Sequence, residues 1–228
     1  MLRLTGPEAR VLVAEAIGTG ALVSAVVGSG IMAASLTQDT GLALLCNTVA
    51  TGAALYVLIT LFGPISGAQF NPAVSLVLAL RGEIGWRTAR RLMLAQVAGG
   101  LAGTLLAHAM FGLAVLQVSH HVRTGPAQAL AEGVATCGLI ATILLGRRAR
   151  PEALPMLVAL YITAAYWFTA STSFANPAVA LARGFSDTFA GIRPWDVPGF
   201  ALAELAGAVL AVPVCGWLLG SDRERNRT

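Results

Sequence analysis

The chain has 228 residues, of which 56% are hydrophobic and 11% are charged, and its mean hydropathy is +0.74. Soluble domains carry about 25% charged residues, so this composition excludes an ordinary soluble protein and predicts one whose main partner is a lipid bilayer. The net charge is +4, but no polar stretch is long enough to form a soluble domain with a basic face, which excludes nucleic acid as a partner.

Six apolar stretches approach the roughly 20 residues that a helix needs to cross a bilayer. They cover residues 9–33, 41–63, 88–112, 126–146, 153–171 and 197–220. Glycine and alanine are frequent in them, which suits close contacts between helices in lipid. We therefore predict an all-α membrane protein with six transmembrane helices, in which residues 1–228 form a single domain.

The basic residues predict the orientation of these helices, and all 15 of them are arginine. If the helices alternate and the N-terminus is cytoplasmic, the outer side holds only Arg123, Arg183 and Arg193. The cytoplasmic side holds the others: Arg3, Arg10, Arg81, Arg87, Arg90, Arg91, Arg147, Arg148, Arg150, Arg223, Arg225 and Arg227. Because cytoplasmic loops are enriched in basic residues, we expect a multi-pass protein of the inner (plasma) membrane with both termini in the cytoplasm.

Two shorter apolar segments interrupt this series, and both begin with asparagine, proline and alanine. They lie in "SGAQFNPAVSLVLALRG" (66–82) and in "STSFANPAVALARG" (171–184). Proline suits the first position of a helix, where its missing N–H is not needed, and asparagine suits the cap before it. We predict two half-length helices that start with these triplets: Asn71, Pro72 and Ala73, and Asn176, Pro177 and Ala178.

The sequences around the triplets also repeat. "LAQVAGGLAG" (94–103) aligns with "LAELAGAVLA" (202–211), and "AEAIGTG" (14–20) aligns with "AEGVATCG" (131–138). The chain therefore divides into halves, about 1–115 and 120–228, each with three spanning helices and one half-helix. Because three is an odd number, the second half must insert upside down, which gives an inverted-topology repeat.

Inversion brings the two half-helices into the membrane from opposite sides, so their N-termini should meet near its middle. Each N-terminus is a positive end of a helix dipole, and both would point at one place. Irregular backbone at this depth is tolerated only where protein covers it or where it lines a water-filled cavity. The pattern therefore predicts a narrow aqueous pore.

These features together resemble the aquaporin, or major intrinsic protein, family, and the resemblance covers nearly the whole chain. It is carried by the two triplets, by "SGAQFNPAVS" and by "EAIGT" (15–19) of the first span. It implies passive conduction of water or small neutral solutes and a homotetramer with one pore per subunit. The residues themselves show no metal-binding spacing of cysteines or histidines, no phosphate loop and no catalytic set, so we expect no cofactor, no metal and no enzymatic activity. The stretch "TSFANPAV" (172–179) is similar to a bacterial aquaglyceroporin branch linked to arsenic resistance.

The resemblance also places a selectivity filter toward the outer side, at Thr51, Ala164, Ser173 and Val179. Most members of the family have arginine at the last of these positions, where this chain has valine. The four residues include no aromatic ring and no charge. Since pore width and lining donors set selectivity, we expect a wide filter that passes water, glycerol and similar polyols, and neutral metalloid acids such as arsenite.

Arg183 lies one helical turn beyond Val179, so it is a candidate for the outer vestibule of the pore. The alternative is an arginine at the membrane interface that extends its side chain to water. We expect the tyrosines of the spans, including Tyr161 and Tyr166, to face lipid or to pack between helices.

Glu15 and Glu132 are carboxylates inside apolar spans, at matching places in the two halves. We expect each to accept hydrogen bonds from the loop before the nearby half-helix and so to support that loop. The alternative is a proton-coupled secondary transporter, in which one of them relays protons. Gln96 and Glu204 also match each other between the halves, and we interpret them as contacts to loops or between helices.

Overall fold

The computed structural model describes residues 6–220, so Arg3, Arg223, Arg225 and Arg227 lie outside the described residues. Its secondary structure in this range is helical. The α-helices are α1 (Pro7–Leu36), α2 (Thr40–Ser66), α3 (Pro72–Leu80), α4 (Trp86–Met110), α5 (Pro126–Ala149), α6 (Leu154–Phe168), α7 (Pro177–Arg183) and α8 (Val197–Leu219). Short 3-10 turns precede α6, at Pro151–Ala153, and α8, at Pro194–Asp196.

The spanning helices are α1, α2, α4, α5, α6 and α8, while α3 and α7 are the two half-helices. Five of the spanning helices are long and apolar enough to cross a membrane by length and composition. The sixth, α6, has 15 residues and is about 22 Å long at 1.5 Å per residue. It ends at Phe168 rather than at residue 171, because the chain turns into the loop before the second triplet.

The two halves pack by the same pairing of helices, as an inverted repeat requires. In the first half α1 packs against α4 and α2, and in the second α5 packs against α8 and α6. Glycines allow the closest approaches. A Cβ atom on Gly99 would lie 2.1 Å from the carbonyl oxygen of Ala16, and one on Gly207 would lie 2.1 Å from that of Gly133. Such contacts of small residues are typical of helices packed in lipid.

One end of the molecule, which we call the arginine-rich end, joins several helix termini through ion pairs. Glu83, in the turn after α3, accepts hydrogen bonds from Arg81 at 2.7 Å and from Arg147 at the end of α5 at 2.8 Å. Arg91 of α4 pairs with Glu8 of α1. Burial alone would raise the pKa of Glu83, but the hydrogen bonds and charges of the two arginines lower it below its ordinary value.

The close approach at Gly207 predicts a strong difference between two glycines of α8. Gly207→Ala places a methyl group against the backbone of α5, whereas a Cβ atom on Gly216 meets nothing within 4 Å. Overpacking of this kind costs about 1–3 kcal/mol. We expect Gly207→Ala to lower the thermal unfolding midpoint in detergent and Gly216→Ala to leave it unchanged or to raise it slightly. Equal midpoints for the two variants would contradict this packing.

Candidate functional site

The half-helices α3 and α7 begin in the same way, and the asparagines of the two triplets cap them. The Oδ1 atom of Asn71 accepts a hydrogen bond from the backbone N–H of Ala73 at 2.9 Å. The Oδ1 atom of Asn176 accepts one from the N–H of Ala178 at 3.0 Å. In each case proline occupies the first helical position. The local sequence therefore starts each helix at its triplet without an unsatisfied N–H at that position.

The same two asparagines join the half-helices across the middle of the molecule. The Nδ2 group of Asn71 donates to the carbonyl oxygen of Ala175 at 2.7 Å, and that of Asn176 donates to the carbonyl oxygen of Phe70 at 2.8 Å. These reciprocal bonds place the N-termini of α3 and α7 together, as the inverted repeat predicts. Two positive helix ends therefore face one region.

The loops that precede the two triplets share an unusual backbone conformation. Five residues other than glycine have a positive φ between 46° and 64°, and they are Ala68, Phe70, Thr172, Ser173 and Ala175. Left-handed backbone costs about 1–2 kcal/mol for a residue with a side chain. The surrounding structure must supply contacts that hold these loops, and buried carboxyl groups supply them.

Glu15 of α1 holds the first loop with both of its oxygens. Its Oε1 atom accepts from the Ser66 hydroxyl at 2.6 Å and from the N–H of Gln69 at 2.9 Å. Its Oε2 atom accepts from the N–H of Phe70 at 2.7 Å and from the Gln96 amide at 2.8 Å. The contacts with the loop backbone are those expected from the sequence.

Two carboxyl groups hold the second loop. Glu132 of α5 accepts hydrogen bonds from the N–H groups of Phe174 at 2.9 Å and Ala175 at 2.7 Å. Glu204 of α8 accepts one from the N–H of Asn176 at 3.0 Å. Glu132 therefore makes the expected loop contacts, and Glu204 extends the support to the capping asparagine itself.

A continuous cavity of about 700 Å³ passes the junction of the half-helices. It begins at the arginine-rich end, where Glu83 and Arg147 line it, and it reaches Arg183 near the other end. The half-helices contribute equivalent positions to its wall: Asn71, Val74 and Leu78 from α3, and Asn176, Val179 and Arg183 from α7. Both asparagines therefore border a space in which a small solute can move.

Three of the four predicted filter residues line this cavity, and the fourth does not. Thr51, Ser173 and Val179 are in its wall, whereas Ala164 is exposed on the outer surface of α6, so its assignment to the filter is wrong. The cavity face of α6 follows a four-residue spacing that includes Ile162 and Tyr166. Ala164 is two residues from each of these, about 200° around the helix, and so it points away.

Tyr166, rather than Ala164, is the residue of this part of α6 that lines the cavity, and of the two alternatives expected for this tyrosine it packs between helices and does not face lipid. Tyr166 is 3% exposed and lines the cavity. Its hydroxyl lies 3.2 Å from the Thr51 hydroxyl. Among the described residues, the hydroxyl of Ser173 has no hydrogen-bond partner. The regular spacing of Val158, Ile162 and Tyr166 was the sequence pattern that could have identified the aromatic ring.

Arg183 is buried beside these residues. It is 2% exposed and lines the cavity, which rules out the alternative that it extends to water at an interface. Its guanidinium carbon lies 3.4 Å from the ring centroid of Phe174, and its Nε group donates to the carbonyl oxygen of Ala190. Arg123 approaches the same ring at 5.3 Å. The wall therefore carries positive charge, which the four residues predicted from the sequence lacked.

The chain is similar to known membrane proteins over most of its length. A model of the family described as "Major intrinsic protein" matches residues 5–166. Aquaglyceroporin AqpS of Rhizobium meliloti (strain 1021) is 66% identical over 211 residues, which are 92% of this chain and 91% of that protein. Aquaporin Z of Brucella melitensis is 29% identical over 231 residues, with 92% and 98% covered.

A solved structure supports the same fold. The aquaglyceroporin from Plasmodium falciparum matches with a TM-score of 0.63 at 18% sequence identity, and the match covers 91% of this chain and 94% of that one. At this identity the similarity concerns the arrangement of the helices and not the residues that line the cavity.

The contacts of Glu15 predict a large effect on stability. Glu15→Ala leaves the N–H groups of Gln69 and Phe70 without their acceptor inside the protein. Each unsatisfied buried donor costs about 1–3 kcal/mol, so we expect the free energy of unfolding to fall by about 3 kcal/mol or more. Glu8→Ala is the control on the same helix, because it removes only an exposed ion pair, worth about 1 kcal/mol or less. Thermal unfolding in detergent measures both, and a similar small loss for both would refute this role of Glu15.

Proposed function

Since the chain belongs to the major intrinsic protein family, we propose that it is a passive membrane channel for small uncharged solutes. The observation that carries the proposal is the cavity that passes Asn71 and Asn176, the residues at which the two half-helices meet. The side-chain amides and helix N-termini offer hydrogen bonds to a solute that has left bulk water. These hydrogen bonds are weak enough that the solute can also leave the cavity.

We propose that Thr51, Tyr166, Ser173, Val179 and Arg183 form the selectivity filter. Three of them offer hydroxyl groups and one offers a guanidinium, while Val179 and the nearby Phe174 ring are apolar. A molecule with hydroxyl groups on one side and C–H groups on the other fits such a wall. Glycerol and similar polyols have this character, and water passes as a smaller solute. The similarity to proteins named as aquaglyceroporins supports this assignment.

We extend the proposal to neutral metalloid acids such as arsenite. Arsenous acid is a compact, uncharged molecule with three hydroxyl groups, so it presents the same donors and acceptors as a short polyol. The aromatic ring of Tyr166 and the charge of Arg183 add bulk and polarity to the cavity wall that the four residues predicted from the sequence lacked. Larger polyols should therefore pass less well than glycerol.

The same groups exclude ions. Two half-helix N-termini face the cavity, and Arg183 and Arg123 lie near its outer part. A cation would meet these positive ends after losing its hydration, and a charge inside a membrane is already penalised by several kcal/mol. We propose that protons and metal cations do not pass.

We also propose the setting of the channel. The arginine-rich end lies in the cytoplasm, so both termini are cytoplasmic and the protein is a multi-pass component of the inner membrane. The chain forms one domain whose halves are the two repeats, about 1–115 and 120–228. By the family resemblance, four copies form a homotetramer with one pore per subunit.

A proton-coupled transporter is the alternative, and the contacts of the buried carboxylates argue against it. Glu15 uses both oxygens to hold the first loop, and Glu132 bonds two N–H groups of the second. A proton carrier must release such bonds in every cycle, which would free strained backbone at the centre of the membrane.

Flux through purified protein in liposomes separates these two functions. For a channel we expect the initial rate of glycerol entry to rise in proportion to the gradient and to be indifferent to a pH difference across the membrane. Empty liposomes give the background. A rate that saturates at low glycerol and increases with an inward proton gradient would favour the transporter.

The corrected filter predicts different effects for two positions on α6. Tyr166→Ala removes the ring from the cavity wall, so we expect glycerol permeability to rise several-fold relative to water permeability. Ala164→Val changes a residue on the exposed face of the same helix and should leave both permeabilities as they are. Stopped-flow light scattering on proteoliposomes measures the ratio. A fall in glycerol permeability for Ala164→Val, together with no change for Tyr166→Ala, would restore the filter predicted from the sequence alone.

A further inference from the structure

The two re-entrant loops are supported by different chemical groups at one equivalent position. Gln96 on α4 and Glu204 on α8 match each other in the repeat, and both are fully buried. The Gln96 amide donates a hydrogen bond to Glu15 at 2.8 Å. A carboxylate cannot donate a hydrogen bond. An ionised Glu204 therefore could not donate to Glu132 in the way that the Gln96 amide donates to Glu15.

The hydrogen bonds of the second loop show a missing donor. Glu15 accepts from two backbone N–H groups and from two side chains. Within residues 6–220, the hydrogen bonds to Glu132 come from two backbone N–H groups, those of Phe174 and Ala175. Glu204 uses its Oε1 atom for the N–H of Asn176, and its buried Oε2 atom has no partner among the described residues.

The two carboxyl groups of the second half are neighbours. They accept from N–H groups of successive residues, Ala175 for Glu132 and Asn176 for Glu204. Both side chains are 0% exposed. Two neighbouring carboxylates that are both ionised repel each other strongly away from water, and pairs of this kind hold one proton between them.

The two arginines of this region, Arg183 and Arg123, do not replace that proton. The Nε group of Arg123 donates to the carbonyl oxygen of Gly191. Arg183 reaches this region from α7, but its Nε group donates to Ala190 and its guanidinium stacks on the Phe174 ring. In the described part of the chain, Arg183 forms no ion pair with either glutamate. A hydrogen bond between the two carboxyl groups is the arrangement that satisfies both Oε2 of Glu204 and the remaining capacity of Glu132.

We propose that Glu204 is a neutral carboxylic acid at physiological pH and that its Oε2–H group donates a hydrogen bond to the ionised Glu132. Glu204 is thus the positioning counterpart of the Gln96 amide. It accepts from the capping residue Asn176 with one oxygen and holds Glu132 with the other. The second half of the protein therefore contains a permanently bound proton that the first half does not need.

This assignment predicts which substitutions the site accepts. Glu204→Gln keeps the shape, the acceptor for Asn176 and a donor for Glu132, and it reproduces the residue of the first half. Glu204→Ala removes both bonds and leaves a cavity beside the second loop. Gln96→Glu is the mirror substitution, which places a second neutral acid next to Glu15.

Infrared difference spectroscopy on protein in liposomes tests the proposal directly. We expect the wild type to show the C=O stretch of a protonated carboxylic acid at neutral pH, and we expect Glu204→Gln to lose this band. Gln96→Glu should gain a second band of the same kind. Glu8→Gln is the control, since it changes an exposed carboxylate of α1 and should leave the band as it is.

Stability and flux complete the test. Glu204→Gln should keep the thermal unfolding midpoint and the glycerol permeability of the wild type, whereas Glu204→Ala should lose much of both. The proposal is overturned if the protonated band survives in Glu204→Gln, or if this variant unfolds as early as Glu204→Ala. The infrared result does not depend on which solute passes the channel, so it stands apart from the flux test of the proposed function.

Discussion

The structure depends on one requirement: backbone groups that leave a helix at membrane depth must find hydrogen-bond partners inside the protein. Water is not available there, and each unsatisfied group costs several kcal/mol. Two loops of this chain meet that requirement with buried carboxyl groups from neighbouring helices, Glu15 for the first loop and Glu132 with Glu204 for the second. Without these acceptors, neither half-helix could begin in the middle of the protein. The part of the cavity wall that the half-helices form would then be lost.

Each asparagine of the two triplets caps its own half-helix and also bonds the opposite loop with the same side chain. An amide has both an acceptor and a donor. In Asn71 the oxygen caps α3 while the nitrogen reaches the carbonyl of Ala175 in the opposite loop, and Asn176 does the same for α7 and Phe70. Aspartate could cap a helix but would lack the donor, and it would bring a negative charge to the site. The reciprocal bonds therefore explain why both triplets begin with asparagine.

Much of this arrangement could be predicted from the sequence, because it follows from a repeat and from the period of apolar residues. The half-helix starts, the inverted order of the halves and the loop contacts of Glu15 and Glu132 all depend on local pattern. The residues that line the cavity could be predicted less well from the sequence. Ala164 and Tyr166 are two residues apart, and only the rotation of α6 about its axis decides which of them faces the cavity. That rotation is set by packing against α2 and α5, and in the sequence it is reflected only in the four-residue spacing of Val158, Ile162 and Tyr166.

In the inverted repeat, the glutamates that hold the two loops in place are different from the residues that line the cavity. The backbone of the two loops is nearly equivalent, with left-handed residues at matching places, and the carboxyl groups that hold them come from matching helices. The walls differ only in side chains: Leu78 of α3 occupies the position that Arg183 holds in α7, and Gln69 stands where the second loop has Phe174. Because these side chains do not hold the loop backbone in place, they can differ between the halves while the scaffold remains symmetric. A symmetric fold can thus place a buried arginine and an aromatic ring beside one part of the cavity, where the equivalent positions of the other half carry leucine and glutamine.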